Sequence, residues 1–296
     1  MPRIRINGSM LHYQQLGEGR NLVLIHGLLG NLAFWYFSVL PELLRDFRVC
    51  LYDMRGHGRS DMPRSGYRSA EMAEDLRGLL DHLGIEHAHV AGHSFGGAVA
   101  LHYAAHYPQR VLSLTLADAW IPALQRPFRR QSATWKLQRR RLQQAGVLMP
   151  EALPLVAYGI FDELRRSRDL KSRDGAVHPW AVPGFNDSVA KHWSELINTT
   201  SLPSEVCDAG DLTRDRIKEI STPVLAMFGQ HSHCLPTLRA LEKDLQNHEA
   251  AVVPGVGHLY PLLRPQVFTS SLKRFVQDHA QEHTDESQDS LDQRQL

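Results

Sequence analysis

A serine lies between two glycines in the stretch AGHSFGG, residues 91–97. Gly92, Ser94 and Gly96 form the pattern Gly-x-Ser-x-Gly, with a strand-like segment before it and a helix-like segment after it. A sharp turn from strand to helix holds such a serine in a strained backbone conformation, and the flanking glycines relieve the crowding. We therefore interpret Ser94 as a candidate nucleophile. The alternative is a glycine-rich turn with an unreactive serine.

A serine hydroxyl is a weak nucleophile at neutral pH and needs a base within hydrogen-bonding distance. The chain has 17 histidines, so a single histidine carries little weight by itself. His258 is distinguished by its position in VVPGVGHLYP, a glycine-containing loop between the last strand-like and the last helix-like segments. That loop can direct an imidazole at the edge of a sheet. His102 and His106 fall on a helix instead, and we interpret them as surface or packing residues.

Attack on a carbonyl carbon also requires hydrogen-bond donors for the oxygen that becomes negatively charged. The segment LIHGLLGN, residues 24–31, places a loop directly after a strand-like run. There the amide of Leu28 can act together with the amide of Phe95, the residue after Ser94. The alternative is that His26 and Gly27 form a simple turn at the end of the strand.

The elements that must position these residues alternate along the chain. Strand-like and helix-like segments alternate over residues 1–118 and again over 209–278, which predicts a parallel sheet with helices on both faces. Residues 119–208 contain no clear buried strand, and 119–206 carry 13 Lys or Arg against 8 Asp or Glu. Residues 279–296 are acidic and poor in apolar side chains, so we expect this tail to be disordered.

Composition excludes several classes of protein. The 296 residues are 43% hydrophobic, enough for one large domain with an insertion, and the net charge of +1 gives no global attraction to nucleic acid or membrane. The three cysteines lack metal-ligand spacing, and no apolar run has the length of a membrane span. We expect a cytoplasmic protein with a small-molecule partner, and the sequence leaves the oligomeric state open.

Five segments, in the order HGLLGN, YDMRGHGRS, GHSFGG, TPVLAMFG and PGVGH, together resemble the α/β-hydrolase superfamily with a helical cap. The resemblance implies an α/β fold with an eight-stranded, mostly parallel sheet and helices on both faces. It places Ser94 after the fifth strand and His258 after the eighth. It also implies that a helical cap, residues 119–208, is inserted after the sixth strand. Asp53 and Arg55 match a family loop usually regarded as structural, and we assign neither a catalytic role.

The acid of the predicted site is displaced from the commonest family position. Most relatives carry it after the seventh strand, where this chain has Ser232, which cannot carry the charge that stabilises an imidazolium. Some members carry it after the sixth strand, which here ends at Asp118. Neighbouring strands lie about 4.8 Å apart, so a carboxylate on either one can reach the same ring. We predict Asp118 as the acid; a Ser–His pair without an acid, or another carboxylate, are the alternatives. His233 and Cys234, beside the vacated position, can contact a ligand; the simpler interpretation, which we favour, is that they face solvent or pack.

These residues predict a serine hydrolase that needs no metal or organic cofactor and cleaves a carboxylic ester or thioester of a small, largely apolar substrate. Because residue 94 is serine, epoxide-hydrolase and dehalogenase chemistry, which this family performs with a carboxylate nucleophile, is disfavoured. A non-hydrolytic enzyme of the same fold (a lyase, cyclase or cofactor-free oxygenase) and a ligand-binding receptor are the alternative functions.

The segment 119–208 is expected to set the substrate. Its aromatic residues can line an apolar pocket over Ser94 or simply bury the cap against the core; they are Trp120, Phe128, Trp135, Tyr158, Phe161, Trp180, Phe185 and Trp193. Arginine-rich runs at 129–130, 139–141 and 165–168 raise the possibility of an acyl carrier or a phosphate-bearing thioester as partner. The simpler interpretation of these runs is a solvated helix face.

Overall fold

The structure is a computed structural model that describes residues 2–125 and 187–280. Its centre is one eight-stranded sheet with the strand order β1-β2-β4-β3-β5-β6-β7-β8. The strands are β1 (Arg3–Ile6), β2 (Ser9–Leu16), β3 (Arg20–Ile25), β4 (Phe47–Tyr52), β5 (Ala88–His93), β6 (Val111–Ala117), β7 (Val224–Gly229) and β8 (His248–Val253). Strand β2 pairs antiparallel with β1 and β4, and all other pairings are parallel. The mostly parallel eight-stranded sheet predicted from the sequence is confirmed.

Helices connect the strands and cover both faces of the sheet. They are α1 (Ala33–Tyr36), α2 (Leu40–Leu43), α3 (Ser69–His82), α4 (Phe95–His106), α5 (Asp187–Thr199), α6 (Leu202–Glu205), α7 (Arg214–Lys218), α8 (Leu235–Asp244), α9 (Tyr260–Leu263) and α10 (Pro265–Ala280). A short 3₁₀ turn, Pro108–Arg110, leads from α4 into β6. Each parallel strand therefore ends at the same edge of the sheet, where the loops that carry Ser94, Asp118 and His258 meet.

The first two strands form a hairpin. Its turn falls at Asn7 and Gly8, and Ile6 pairs with Ser9. Asn7 and Gly8 both have positive φ, 47° and 78°. Two consecutive residues of this kind form the tight turn that matches the twist of paired strands, and Asn-Gly is its preferred sequence.

The core lies on both faces of the sheet. On one face α3 and α4 pack on the strands through residues such as Leu76, Leu101 and Leu114. On the other, Trp35 and Phe268 pack with the rest of α10. All six residues of β7, Val224–Gly229, are buried. A strand covered on both faces has no polar side, and this is why the central strands show continuous apolar runs in the sequence.

Only part of the segment between β6 and β7 is described. Residues 187–208 contain α5 and α6, and Trp120 is buried directly after β6. The six cap aromatics from Phe128 to Phe185, the arginine-rich runs and the acidic tail beyond residue 280 lie outside the described residues. The domain boundaries at 118, 208 and 278 stay predictions.

Two further features concern membrane-spanning helices and cysteine thiols. Within residues 2–125 and 187–280, no helix combines the length and hydrophobicity needed to cross a bilayer. Cys50, Cys207 and Cys234 are all free thiols.

Candidate active site

Ser94 lies in the sharp turn between β5 and α4 and has φ 55° and ψ −123°. A non-glycine residue rarely adopts this conformation, and its strain is typical of functional sites. The two flanking glycines have no room for a side chain. A Cβ on Gly92 would lie 2.2 Å from the carbonyl oxygen of Gly96, and a Cβ on Gly96 would lie 2.3 Å from that of His26. The glycines are thus required by close backbone approach, as the motif suggested.

His258 lies in the loop between β8 and α9, and its Nε2 is 2.9 Å from the Oγ of Ser94. The structure therefore brings together two side chains that are 164 residues apart in sequence. Burial lowers the pKa of His258 to about 3, which keeps the imidazole neutral. A neutral imidazole is the form that can accept the serine proton.

Asp118 is the first residue after β6 and has a positive φ of 48°. Its backbone N–H donates to the carbonyl of Met227, and one carboxylate oxygen, Oδ2, accepts from the N–H of Gly229; both distances are 2.8 Å. The Ser232 hydroxyl also hydrogen-bonds the carboxylate. Ser232, which occupies the position where most family members carry the acid, is thus hydrogen-bonded to Asp118, which follows the neighbouring strand β6.

The second oxygen of Asp118, Oδ1, lies 3.7 Å from the Nδ1 of His258, and both side chains are fully buried. This separation is longer than a hydrogen bond. Within the described residues, Oδ1 has no hydrogen-bond partner although it is buried. Burial raises the pKa of Asp118 to about 8, against the opposing effect of its bonds to Ser232 and Gly229. Asp118 therefore directs a carboxyl oxygen at His258 at close range, and this oxygen is a charged acceptor above about pH 8.

The loop after β3 lies against the nucleophile. A Cβ on Gly27 would lie 2.9 Å from the Cβ of Ser94, so only glycine permits this approach without a shift. Leu28 follows in this loop, and Phe95 is the first residue of α4; both are buried. Their amides consequently lie on the two segments that meet at Ser94.

Hydrogen bonds to the side chains of His57 and Asp53 fix this loop. Leu29 has a φ of 62°, and its N–H donates to the Nε2 of His57 at 3.1 Å, while the Nδ1 of His57 donates to the carbonyl of Arg55. Asp53 accepts from the N–H of Leu32 at 2.8 Å. Burial and the neighbouring His26 lower the pKa of His57 to about 3, so it stays a neutral acceptor. The only sequence signal for His57 was its place inside RGHGRS.

The structure gives the family loop the bracing role expected from the sequence. Arg55 donates two hydrogen bonds to Asp75, at 2.6 and 2.5 Å, and both side chains are buried. A paired, two-point contact of this kind fixes orientation as well as distance. It ties the loop after β4 to α3.

Three further side chains contact His258 or its loop. His93 Nε2 donates to the carbonyl oxygen of His258 at 2.8 Å. Cys234 is fully buried, with its Sγ 3.6 Å from the Nδ1 of His258. The ring of His233 lies 4.4 Å, centroid to centroid, from that of His258. Cys234 does not face solvent: it is buried, and the turn after β7 directs its thiol at the ring of His258.

Two groups of side chains in the described residues bring potential metal ligands together. His233, Cys234 and His258 form one, and His102, His106 and Asp211 form the other, each with its ligand atoms within 4.8 Å of one another. A cation in the first group would occupy either Nε2 of His258, which faces Ser94, or Nδ1, which faces Asp118, and so would compete with one of these two contacts. The second group lies at the far end of α4.

Comparison with known proteins defines the class. The model of the alpha/beta hydrolase fold family matches residues 20–265. The match spans far more than half of the chain, and it agrees with the sheet order and the strained serine turn. The protein belongs to the α/β-hydrolase family.

Three relatives illustrate the range of this similarity. The chain is 31% identical over 285 residues to a soluble epoxide hydrolase of Corynebacterium sp. (strain C12), covering 92% of this chain and 95% of that protein. It superposes on Est816, an N-acyl homoserine lactone degrading enzyme, with a TM-score of 0.67, 25% identity and coverage of 93% and 100%. The enol-lactonase from Burkholderia xenovorans LB400 gives a TM-score of 0.66 at 23% identity, with coverage of 93% and 100%, and shows the shared fold.

Proposed function

We propose that the protein is a serine hydrolase that cleaves a carboxylic ester or thioester of a small, largely apolar substrate through an acyl-enzyme on Ser94. The observation that carries the proposal is the 2.9 Å contact between Ser94 Oγ and His258 Nε2 at a strained strand-to-helix turn. A hydroxyl and a neutral imidazole at this distance form an activated nucleophile.

In the proposed reaction, Ser94 attacks the carbonyl carbon while His258 takes its proton. The Nδ1–H of the resulting imidazolium faces Asp118 Oδ1, and a shift of less than 1 Å from the present 3.7 Å makes a charge-assisted hydrogen bond. His258 then passes the proton to the leaving group. Water attacks the acyl-enzyme by the same route and restores Ser94.

The negative charge that develops on the carbonyl oxygen requires donors that are already in place. We assign this role to the amides of Leu28 and Phe95. In the described part of the chain neither amide donates to a protein acceptor, whereas the next amide along the loop, that of Leu29, is used by His57. Because His57 engages the amide of Leu29, the amide of Leu28 is the one in this loop that we assign as a donor to the substrate oxygen.

The similarity to an epoxide hydrolase does not carry its chemistry to this chain, because the nucleophile decides which covalent intermediate can be resolved. A carboxylate that opens an epoxide forms an ester, and water can hydrolyse that ester. The hydroxyl of Ser94 would form an ether instead, which offers no carbonyl carbon to the water activated by His258. Acyl substrates are therefore favoured. Lactones, on which two of the structural relatives act by name, fall within this class as cyclic esters.

The test has two parts that use the full chain. A fluorophosphonate probe should label the wild-type protein at one equivalent and should leave Ser94→Ala unlabelled; peptide mapping checks the site. The wild type should hydrolyse p-nitrophenyl esters or simple lactones, with a rate that depends on acyl length.

Ser113→Ala is the matched control, since Ser113 is also a buried serine on the sheet but its hydroxyl bonds His89. It should retain labelling and turnover. Labelling of Ser94 without hydrolysis of any ester, thioester or lactone would refute the hydrolytic proposal and favour a non-hydrolytic enzyme of this fold. No labelling at all would favour a receptor.

A further inference from the structure

A second cluster of titratable side chains lies at the C-terminal end of α4, away from the nucleophile. His102 and His106 are four residues apart, so they project from the same side of the helix. Asp211, in the loop before α7, faces both of them. Helical rise places the two histidines about 12 and 18 Å along the axis from Ser94, which separates this cluster from the proposed chemistry.

The three side chains converge on one point. His102 Nε2 lies 2.9 Å from one oxygen of Asp211, and His106 Nε2 lies 3.0 Å from the other. The His106 nitrogen is buried but lacks the alignment that a hydrogen bond requires. The ligand atoms of all three residues lie within 4.8 Å of one another. Two imidazole nitrogens and a carboxylate oxygen thus surround a common position.

The surroundings of His102 are those of a metal-ligating histidine. The side chain is 1% exposed, and its other ring nitrogen, Nδ1, lies 3.0 Å from the hydroxyl of Ser69 on α3. A hydrogen bond to the second nitrogen fixes the ring and the tautomer of a ligand histidine. Asp211 is half exposed, which gives an ion a path from solvent.

We propose that His102, His106 and Asp211 form a binding site for a divalent first-row transition metal ion, with Zn²⁺ as the preferred probe and water as the fourth ligand. Imidazole and carboxylate are ligands that Zn²⁺ accepts in tetrahedral geometry. Bonds of about 2.0–2.2 Å to a tetrahedral ion separate its ligand atoms by about 3.3 Å, close to the present 2.9 and 3.0 Å between each histidine nitrogen and an Asp211 oxygen. The ion would link α4 to the segment that leads into α7.

One positive charge opposes this site. Nη1 of Arg216 donates to the same Asp211 oxygen that faces His106, at 2.7 Å. The Arg216 side chain is 38% exposed, so it can swing into solvent when an ion binds. Arg216 and a metal ion would therefore compete for the same carboxylate oxygen. Removing this arginine should strengthen metal binding, whereas a cluster that serves only as an ion-pair network would gain nothing.

The experiment is calorimetric titration of Zn²⁺ into the metal-free full-length protein, with all variants in a Cys234→Ala background. That background removes the thiol of the other ligand group, which contains His233 and His258. The variants His106→Ala and Asp211→Asn should weaken the affinity at least tenfold, as loss of ligands or their partners does. Arg216→Gln should tighten it severalfold. His87→Ala, an exposed histidine outside the cluster, is the matched control and should leave it unchanged.

Thermal unfolding measures metal binding independently of calorimetry. Zn²⁺ in hundredfold excess over its dissociation constant should raise the melting temperature of the parent protein by about 5 °C, and at the same concentration should raise that of His106→Ala by no more than about half as much. The melting temperature without metal also reports whether each variant is folded. Equal Zn²⁺ affinity in the parent, His106→Ala and Asp211→Asn proteins, or weaker binding in Arg216→Gln, would overturn the proposal.

Discussion

Replacing Asp118 by asparagine tests the displaced acid directly. At 3.7 Å from Nδ1 of His258, a carboxylate stabilises an imidazolium by about 4.5 kcal/mol at an effective dielectric constant of 20. Since about 1.4 kcal/mol corresponds to a factor of ten, kcat measured above pH 8, where Asp118 is ionised, should fall about a thousandfold. Asparagine keeps the side-chain size and tolerates the positive φ of 48° at this position, so the fold should survive.

The assay is steady-state hydrolysis of the best p-nitrophenyl ester from the substrate panel. Because Asp118 contacts His258 rather than the substrate, kcat should fall while KM changes little. Asp215→Asn is the matched control: the same substitution at a carboxylate whose side chain is 86% exposed, with no expected effect on kcat. Ser232→Ala should have only a small effect, since it removes one hydrogen bond to Asp118 and leaves the charge in place.

A rescue variant distinguishes the loss of a charge from a general disturbance. The side chain of Ser232 already reaches the carboxylate of Asp118. Adding Ser232→Asp to Asp118→Asn should therefore return a carboxylate to the neighbourhood of His258 and recover kcat at least tenfold. If Asp118→Asn retains kcat within about fivefold of the wild type, or if it and Ser232→Ala have equal, mild effects, the assignment of the acid is refuted.

Three more predictions concern the same loops. The free-enzyme kcat/KM should rise with pH until about 8, because protonated Asp118, whose pKa burial raises to about 8, cannot stabilise an imidazolium; a pH profile of Asp118→Asn should lack this rise. Ser94→Gly should abolish hydrolysis yet raise the free energy of unfolding by about 1 kcal/mol in urea titrations, because glycine adopts a φ of 55° without strain. Ser94→Ala should also abolish hydrolysis but should not raise the free energy of unfolding, because alanine is strained at this φ. Asp75→Asn should lower the free energy of unfolding by about 3–5 kcal/mol, because it leaves the buried Arg55 guanidinium without its charge partner; an unchanged denaturation midpoint would contradict this.

Local sequence patterns were sufficient to predict the central strands and the turn at Ser94. The apolar runs predicted central strands because strands buried on both faces favour apolar side chains, and β7, with the sequence VLAMFG, is buried at every residue. The glycines at 92 and 96 pointed to the strained turn at Ser94 because a Cβ there collides with backbone within 2.3 Å. Such constraints act between near neighbours, so the sequence expresses them directly.

The sequence alone determined the class of the fold, the serine turn and the loop that presents His258. Only the tertiary structure fixes what surrounds the imidazole of His258. Cys234 lies 3.6 Å and Asp118 3.7 Å from its Nδ1, and His93 donates to the backbone carbonyl oxygen of the same residue. The tertiary structure likewise decided that His57 fixes the loop of Leu28 and that His102 meets Asp211. These contacts depend on the register of parallel strands and the directions of loops far apart in sequence, to within about an ångström. No local pattern of residue types encodes a distance of that kind.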